Sequence, residues 1–367
     1  MGKLATNSED WKLYRGTSEP GTIPVLPDPP PWRQFSQDST KTTPLLTPQG
    51  EDVRGQTYRA DAAAIEMVNA AVYLGRPLLV TGKPGTGKSS LAYSVTRELG
   101  LGPVLRWNIT SRSTLKEGLY QYDALRRLQD YNRAKERSVG DYITLGALGT
   151  AFLPWERPRV LLIDEIDKSD IDLPNDLLNL FEEGNFAIPE IEAEPVREAE
   201  AYGRGSAHKL IVRTSDSGNP VVPLDGGIVR CKRFPIVILT SNGERDFPPP
   251  FLRRCLRLYL PPPSKEQLAL ILEAHLGLVT GPTQSQRDGL IQDFLNRAMS
   301  GDLATDQLLN AVFLTVGPDA ILGDGIPSQN DDGKKEREEM KARLRTALLR
   351  PLQSGFEQGI NVASGGG

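Results

Sequence analysis

The chain has 367 residues, 38% of them hydrophobic and 25% charged, and a net charge of −4. That is apolar material for about two ordinary globular domains, and the acidic balance argues against a protein held mainly by nucleic-acid phosphates. Two cysteines, Cys231 and Cys255, and two histidines, His208 and His275, lack metal-ligand spacing and argue against a zinc centre or a disulfide framework.

No apolar run approaches the roughly 20 residues that span a bilayer, and the polar start MGKLATNSED lacks the apolar centre of a signal peptide. A cytoplasmic protein without a membrane part is expected. Residues 1–50 carry eight prolines between Pro20 and Pro48 and read as an extended, uncored arm. Trp11, Tyr14, Trp32 and Phe35 are unusual in a solvated linker, so the arm either straps across its own core, reaches a neighbouring subunit, or is a flexible leader.

After Asp61 the apolar spacing predicts a helix that Gly75 and Pro77 stop. Leu78 to Val80 then reads as a buried strand, followed by a glycine-rich loop and a helix from Ser90. Gly82, Gly87, Lys88 and Ser89 fit the P-loop pattern Gly-x-x-x-x-Gly-Lys-Ser/Thr. In such a loop the glycines let backbone N–H groups converge on phosphate oxygens at a helix N-terminus. The candidate phosphate-binding set is therefore Gly82, Lys83, Pro84, Gly85, Thr86, Gly87, Lys88, Ser89 and Ser90. Lys88 would reach the β- and γ-phosphates and Ser89 would place its hydroxyl on Mg²⁺. Tyr58, just before the preceding helix, is a candidate to flank the base, with simple packing against that helix as the alternative.

Residues 103–109 read as a second strand ending in Asn108, and 113–137 as one charged helix. Residues 142–154 are apolar among three glycines, either core or a loop that touches a partner. The apolar run within 159–168 ends in the acid pair Asp164 and Glu165, the Walker B pattern. Asp164 would order Mg²⁺ and Glu165 would polarise the attacking water. A helix over 174–186 precedes a long interruption with strand-like runs HKLIVR and GIVRC, read as one inserted β-hairpin or a pair. The buried strand at 235–242 ends at Asn242, and Arg253 and Arg254 open a further strand-like segment that closes at Pro261.

Over residues 55–320 these motifs resemble AAA+ ATPases, and more closely the MoxR-type branch. GKPGTGKS resembles Walker A, LLIDEID Walker B, LTSN sensor 1, and PPPFLRRC the segment with the arginine finger. The resemblance implies an α/β core with a parallel five-stranded sheet and flanking helices at 51–262, holding a helix-2 insert at 139–155 and a hairpin insert at 206–233. A helical lid at 263–352 and a disordered tail at 353–367 would follow. It further implies ATP and Mg²⁺ as cofactors, and Lys88, Glu165 and Asn242 as catalytic residues. Arg254, with Arg253 in reserve, would enter the neighbouring subunit's site, which calls for a homo-oligomer, most simply a six-membered ring. Asn108 matches the position that restrains the Walker B glutamate. No arginine opens the helix at 303–314, where Thr305, Asp306 and Gln307 stand in place of the sensor 2 residue.

The expected activity is Mg²⁺-dependent ATP hydrolysis coupled to chaperone-like remodelling of a protein partner, such as a von Willebrand A-type protein. A switch that ATP assembles into a signalling scaffold is the rival. A nucleic-acid translocase is weakest, because Arg213, Arg230, Lys232 and Arg233 are the only obvious basic set near the hairpin.

Overall fold

The computed structural model describes residues 11–17, 19–20, 25–35, 53–133, 135, 137–192, 210–218, 220–224, 227–277, 282–298, 303–315 and 331–349. The strands are β1 (Leu78–Gly82), β2 (Leu105–Asn108), β3 (Tyr120–Tyr122), β4 (Ile143–Leu145), β5 (Val160–Asp164), β6 (Asn185–Ala187), β7 (Leu210–Arg213), β8 (Val221–Leu224), β9 (Ile228–Arg230), β10 (Ile236–Ser241) and β11 (Leu256–Leu260). The helices up to β11 are α1 (Val53–Thr57), α2 (Ala62–Leu74), α3 (Lys88–Leu99), α4 (Leu115–Leu119), α5 (Ala124–Asn132), α6 (Ala147–Ala151), α7 (Leu173–Glu183), α8 (Pro189–Glu192) and α9 (Pro249–Arg254). After β11 come α10 (Lys265–Leu276), α11 (Pro282–Ala298), α12 (Thr305–Thr315) and α13 (Asp331–Leu348). The chain divides into two compact units. Unit 2 combines the chain from Leu260 onward with two short segments, Thr57–Arg59 and Gly82–Gly87; the rest forms unit 1.

Unit 1 is built on a five-stranded sheet of order β11-β1-β10-β5-β2. The pairs β1–β10, β10–β5 and β5–β2 are parallel. Every residue of β5 and β10 is buried, as expected of strands covered on both faces, and this accounts for their unbroken apolar runs. Both runs turn polar at the carboxyl end, where open α/β sheets bind ligands.

A second sheet has the order β3-β4-β7-β8, with β4 beside β7 in parallel at Thr144 and Arg213. The stretches expected as separate inserts at 139–155 and 206–233 thus contribute to one sheet. The hairpin differs from the expected pairing. β7 turns back onto β8, whereas β9, from the run GIVRC, pairs with β6. Residues 206–209, His208 included, lie outside the described residues.

Two other expectations need correction. The helix over 113–137 is broken into α4, β3 and α5. Thr114 and Glu117 form a capping box that starts α4, and Gly118 packs on the Trp107 ring, where a Cβ would come within 2.7 Å. Tyr120 to Tyr122 then gains antiparallel pairing with β4, and Asp123 caps the new start of α5. Tertiary pairing overrides local helix preference here. Arg253 and Arg254 end helix α9 rather than open a strand, because prolines at its first turn supply the fixed φ of a helix start.

The arm lies on its own core. Tyr14 is fully buried, and its hydroxyl shares a hydrogen bond with Ser94 Oγ on α3 at 2.8 Å. Asn69 of α2 accepts the N–H groups of Leu13 and Tyr14 and donates to Tyr14 O and Ile65 O. Glu98 of α3 accepts from the N–H groups of Arg15 and Thr17. Arg33 donates to Gly75 O and Phe181 O and covers the Phe234 ring.

Unit 2 packs α10 to α13 around Leu268, Leu272, Ile291, Phe294, Leu308 and Leu349. In α13 Met340 is exposed and its neighbour Lys341 is buried. The tail at 353–367 lies outside the described residues.

Candidate functional site

In unit 1 the carboxyl end of the sheet gathers the acid pair and its donors. Strand register sets Asn108 opposite Asp164, and α3 begins at Lys88. The Ser89 hydroxyl donates to Asp164 Oδ1 at 2.7 Å, and the Thr240 hydroxyl donates to the same oxygen at 2.7 Å. Arg106 donates to Asp164 Oδ2 through Nη2 at 2.6 Å and Nε at 3.2 Å. Burial works against the Asp164 charge, but the Ser89 and Thr240 hydroxyls and the Arg106 guanidinium outweigh it and hold the carboxyl below its ordinary range. Burial also lowers the pKa of the Lys88 ammonium, opposed by the charges of Asp167, Glu165 and Asp164 facing it.

Glu165 is the one non-glycine residue among those described with a left-handed backbone, φ 61°. Its N–H donates to Thr240 Oγ1 at 2.8 Å, so one hydroxyl holds the side chain of Asp164 and the backbone of Glu165. The Glu165 carboxylate accepts from Lys168 Nζ at 2.7 Å. The resemblance assigned that restraint to Asn108. Asn108 instead lines, with Glu165, Asp167, Lys168, Glu244 and Arg245, an open cavity of about 660 Å³. Lys168 closes on Glu165 because a single 3₁₀ turn, Ile166–Lys168, follows directly and sets the two side chains three residues apart.

Asp167 anchors the chain just past β10. Its Oδ2 accepts the N–H groups of Asn242 at 2.8 Å and Glu244 at 3.2 Å. Arg254 is ion-paired with Glu182 of α7 and donates to Pro250 O, while Arg253 is exposed. Burial pushes the Cys231 and Cys255 thiols up to about 12, so neither is a nucleophile.

In unit 2 the loop Gly82–Gly87 holds Gly85 at φ +75° and Gly87 at φ +85°, a region that favours glycine. A Cβ on Gly87 would come within 3.0 Å of the Tyr58 ring, and one on Gly85 within 2.7 Å of Ala304 and of Thr305 N. Tyr58 therefore lies against the phosphate loop, and the loop meets Ala304 and Thr305 at the start of α12. Thr86 donates to Lys83 O at 2.9 Å. Lys83 and Pro84 are exposed, and Ser90 is half-buried on α3.

A hydroxyl and a carboxylate are hard oxygen donors of the kind Mg²⁺ takes, and Ser89 keeps lone pairs free by donating its proton to Asp164. Among the described residues no group of three or more His, Cys, Asp or Glu side chains could cage a metal ion. Among the described residues no helix is long and apolar enough to cross a membrane.

Arg106, Thr240, Asp167 and Lys168 were not singled out from sequence. Alternation along β2 puts Arg106 on the same face as Asn108, which was a usable signal once Asn108 was chosen. Thr240 stood inside LTSN but carried no role without the strand register.

Comparison with curated proteins gives no match. The family model described as "ATPase family associated with various cellular activities (AAA)" matches residues 78–262. That span starts with β1, ends just past β11, and contains the phosphate loop, the acid pair and Asn242. With half of the chain so matched, and with the P-loop serine hydrogen-bonded to the strand-end aspartate inside the match, the protein belongs to the AAA ATPase family.

Proposed function

We propose that this protein hydrolyses ATP with Mg²⁺ and does so as an oligomer. The observation that carries the reading is the 2.7 Å bond from the Ser89 hydroxyl to Asp164, which joins the two metal-ordering groups of a P-loop ATPase. In this reading the backbone of Gly82–Gly87 cradles the phosphates, and Lys88 neutralises their β- and γ-oxygens. Mg²⁺, when bound, would be held by Ser89 and Asp164 and would supply charge that screens the phosphates. Glu165 orients and polarises the attacking water, Asn242 contacts the γ-phosphate or that water, and Tyr58 flanks the base. Arg254, with Arg253 as the second candidate, completes the site of a neighbouring copy.

Phosphate release measured over a protein concentration series tests this. Turnover per subunit should rise with concentration and with Mg²⁺, and Lys88→Ala and Glu165→Gln should abolish it. Parental turnover by Lys88→Ala protein would refute the reading. Particle mass with and without ATP and Mg²⁺ tests the ring, expected to be six-membered.

The resemblance to MoxR-type ATPases supports remodelling of a protein partner, such as a von Willebrand A-type protein, as the work done. The start of α12, with Ala304 and Thr305 against Gly85 where the family places a sensor 2 arginine, favours the rival in which ATP assembles a scaffold and slow hydrolysis resets it. Glu165→Gln protein separates the two: an ATP-locked switch stays active, whereas a remodeller stalls on its partner. The translocase reading loses further ground because Arg213 donates to Asp141 O and Arg233 to Pro27 O and Asp28. Stimulation of turnover by DNA at low salt would revive it.

A further inference from the structure

The carboxylate of Asp164 is fully engaged. Oδ1 takes the hydroxyls of Ser89 and Thr240, and Oδ2 takes two N–H groups of Arg106. A carboxylate offers about four lone-pair sites, so no acceptor is left for the water shell of a divalent ion. The donors differ in their freedom to leave. Thr240 is buried in β10, and Ser89 is on α3, whose fold sets its position. The Arg106 side chain is 38% exposed and has a path to solvent. Tyr93 of α3 also interacts with the guanidinium.

We propose that Arg106 is an exchangeable counter-cation of the metal site. It holds Asp164 oriented while no divalent ion is present, and it yields Oδ2 when a hydrated Mg²⁺ arrives. This rests on the reading that Asp164 serves Mg²⁺. Like charges a few ångströms apart at a partly buried carboxylate repel strongly, so the resident guanidinium weakens divalent binding and makes it release more readily. Arg106 is thus a positioning residue that tunes metal affinity through Asp164.

The test is a Mn²⁺ titration of the full-length protein at fixed, saturating ADP, followed by the EPR signal of the free ion. Arg106→Gln should tighten Mn²⁺ binding by at least about tenfold, equivalent to about 1.4 kcal/mol. Arg106→Met, which also removes the charge, should tighten it as much and serves if the glutamine variant does not fold. Unchanged or weaker Mn²⁺ affinity in whichever variant folds would overturn the proposal. Asp164→Asn in the parent background is the control. Loss of Mn²⁺ binding there, with no change in Arg106→Gln, sinks the counter-cation alone, whereas Mn²⁺ binding that survives Asp164→Asn sinks the Mg²⁺ assignment beneath it as well.

Discussion

Replacing Thr240 with valine keeps shape and volume and removes one hydroxyl that does two jobs. That oxygen donates to the ionised Asp164 carboxylate at 2.7 Å and accepts the Glu165 N–H at 2.8 Å, in a residue only 1% exposed. A hydrogen bond to a charged group contributes about 1.5–3 kcal/mol, and a stranded buried N–H costs about 1–3 kcal/mol. Thr240→Val should therefore lose about 3–4 kcal/mol of stability, a large share of the roughly 5–15 kcal/mol that keeps a domain folded. Function should suffer separately. Glu165 sits at φ 61°, a conformation that costs a non-glycine residue about 1–2 kcal/mol, and the Thr240 bond is the restraint on its peptide. Released, the peptide relaxes and the carboxylate shifts, and a misplacement of about 1 Å costs about 10²-fold in rate. Urea unfolding and steady-state phosphate release measure the two effects. Thr240→Ser keeps the hydroxyl, gives up about 1 kcal/mol for one methyl group, and should retain turnover within about threefold on the same geometric argument. Folded Thr240→Val protein with parental turnover would refute the role given to this hydroxyl.

Three further outcomes are expected. Asn69→Ala strands the N–H groups of Leu13 and Tyr14 and the Tyr14 carbonyl, and should cost about 3–5 kcal/mol in urea unfolding. Combined with Tyr14→Ala the loss should fall short of the sum, because Asn69 bonds the backbone of the same residue whose side chain is anchored on Ser94; strict additivity would mean the arm is not one cooperative element. The Cys231 and Cys255 thiols, pushed up to about 12 by burial, stay protonated in the fold while unfolded thiols ionise near about 8.5. Each contributes stability that is complete below the unfolded value and is lost as pH rises toward 12, at about 1.4 kcal/mol per pH unit. Denaturant midpoints between pH 8 and 11 should show this decline, and Cys231→Ala should flatten its slope. Finally, Arg254→Ala should reduce turnover by about 10³-fold or more, and mixing it with Lys88→Ala protein should restore part of the activity. Recovery in the mixture requires a guanidinium from one copy at the phosphates of another, so a mixture as inactive as its components would show that Arg254 does not act between subunits.

The phosphate loop, the acid pair and the buried strands were legible from residue order because each depends on a short local pattern. Gly82, Gly87, Lys88 and Ser89 need one spacing, and the run into Asp164 needs only a strand covered on both faces. The same local logic failed at 113–137, where helical spacing gave way to a strand that pairs with Ile143–Leu145. It failed again at Arg253 and Arg254, where the preceding prolines begin a helix. The inserted strands were visible singly, but their partners were not: β9 joins β6, more than 40 residues earlier in the chain.

Local spacing was thus sufficient for the parts of the site that one segment builds alone, since backbone conformation and burial there follow from neighbours along the chain. The parts that need several segments at once came from folding: Thr240 bracing both acids, Arg106 saturating Asp164, and an arm locked onto α2 and α3 by Tyr14 and Asn69. Strand register and close packing fix those contacts, and neither is encoded in any one stretch of residues.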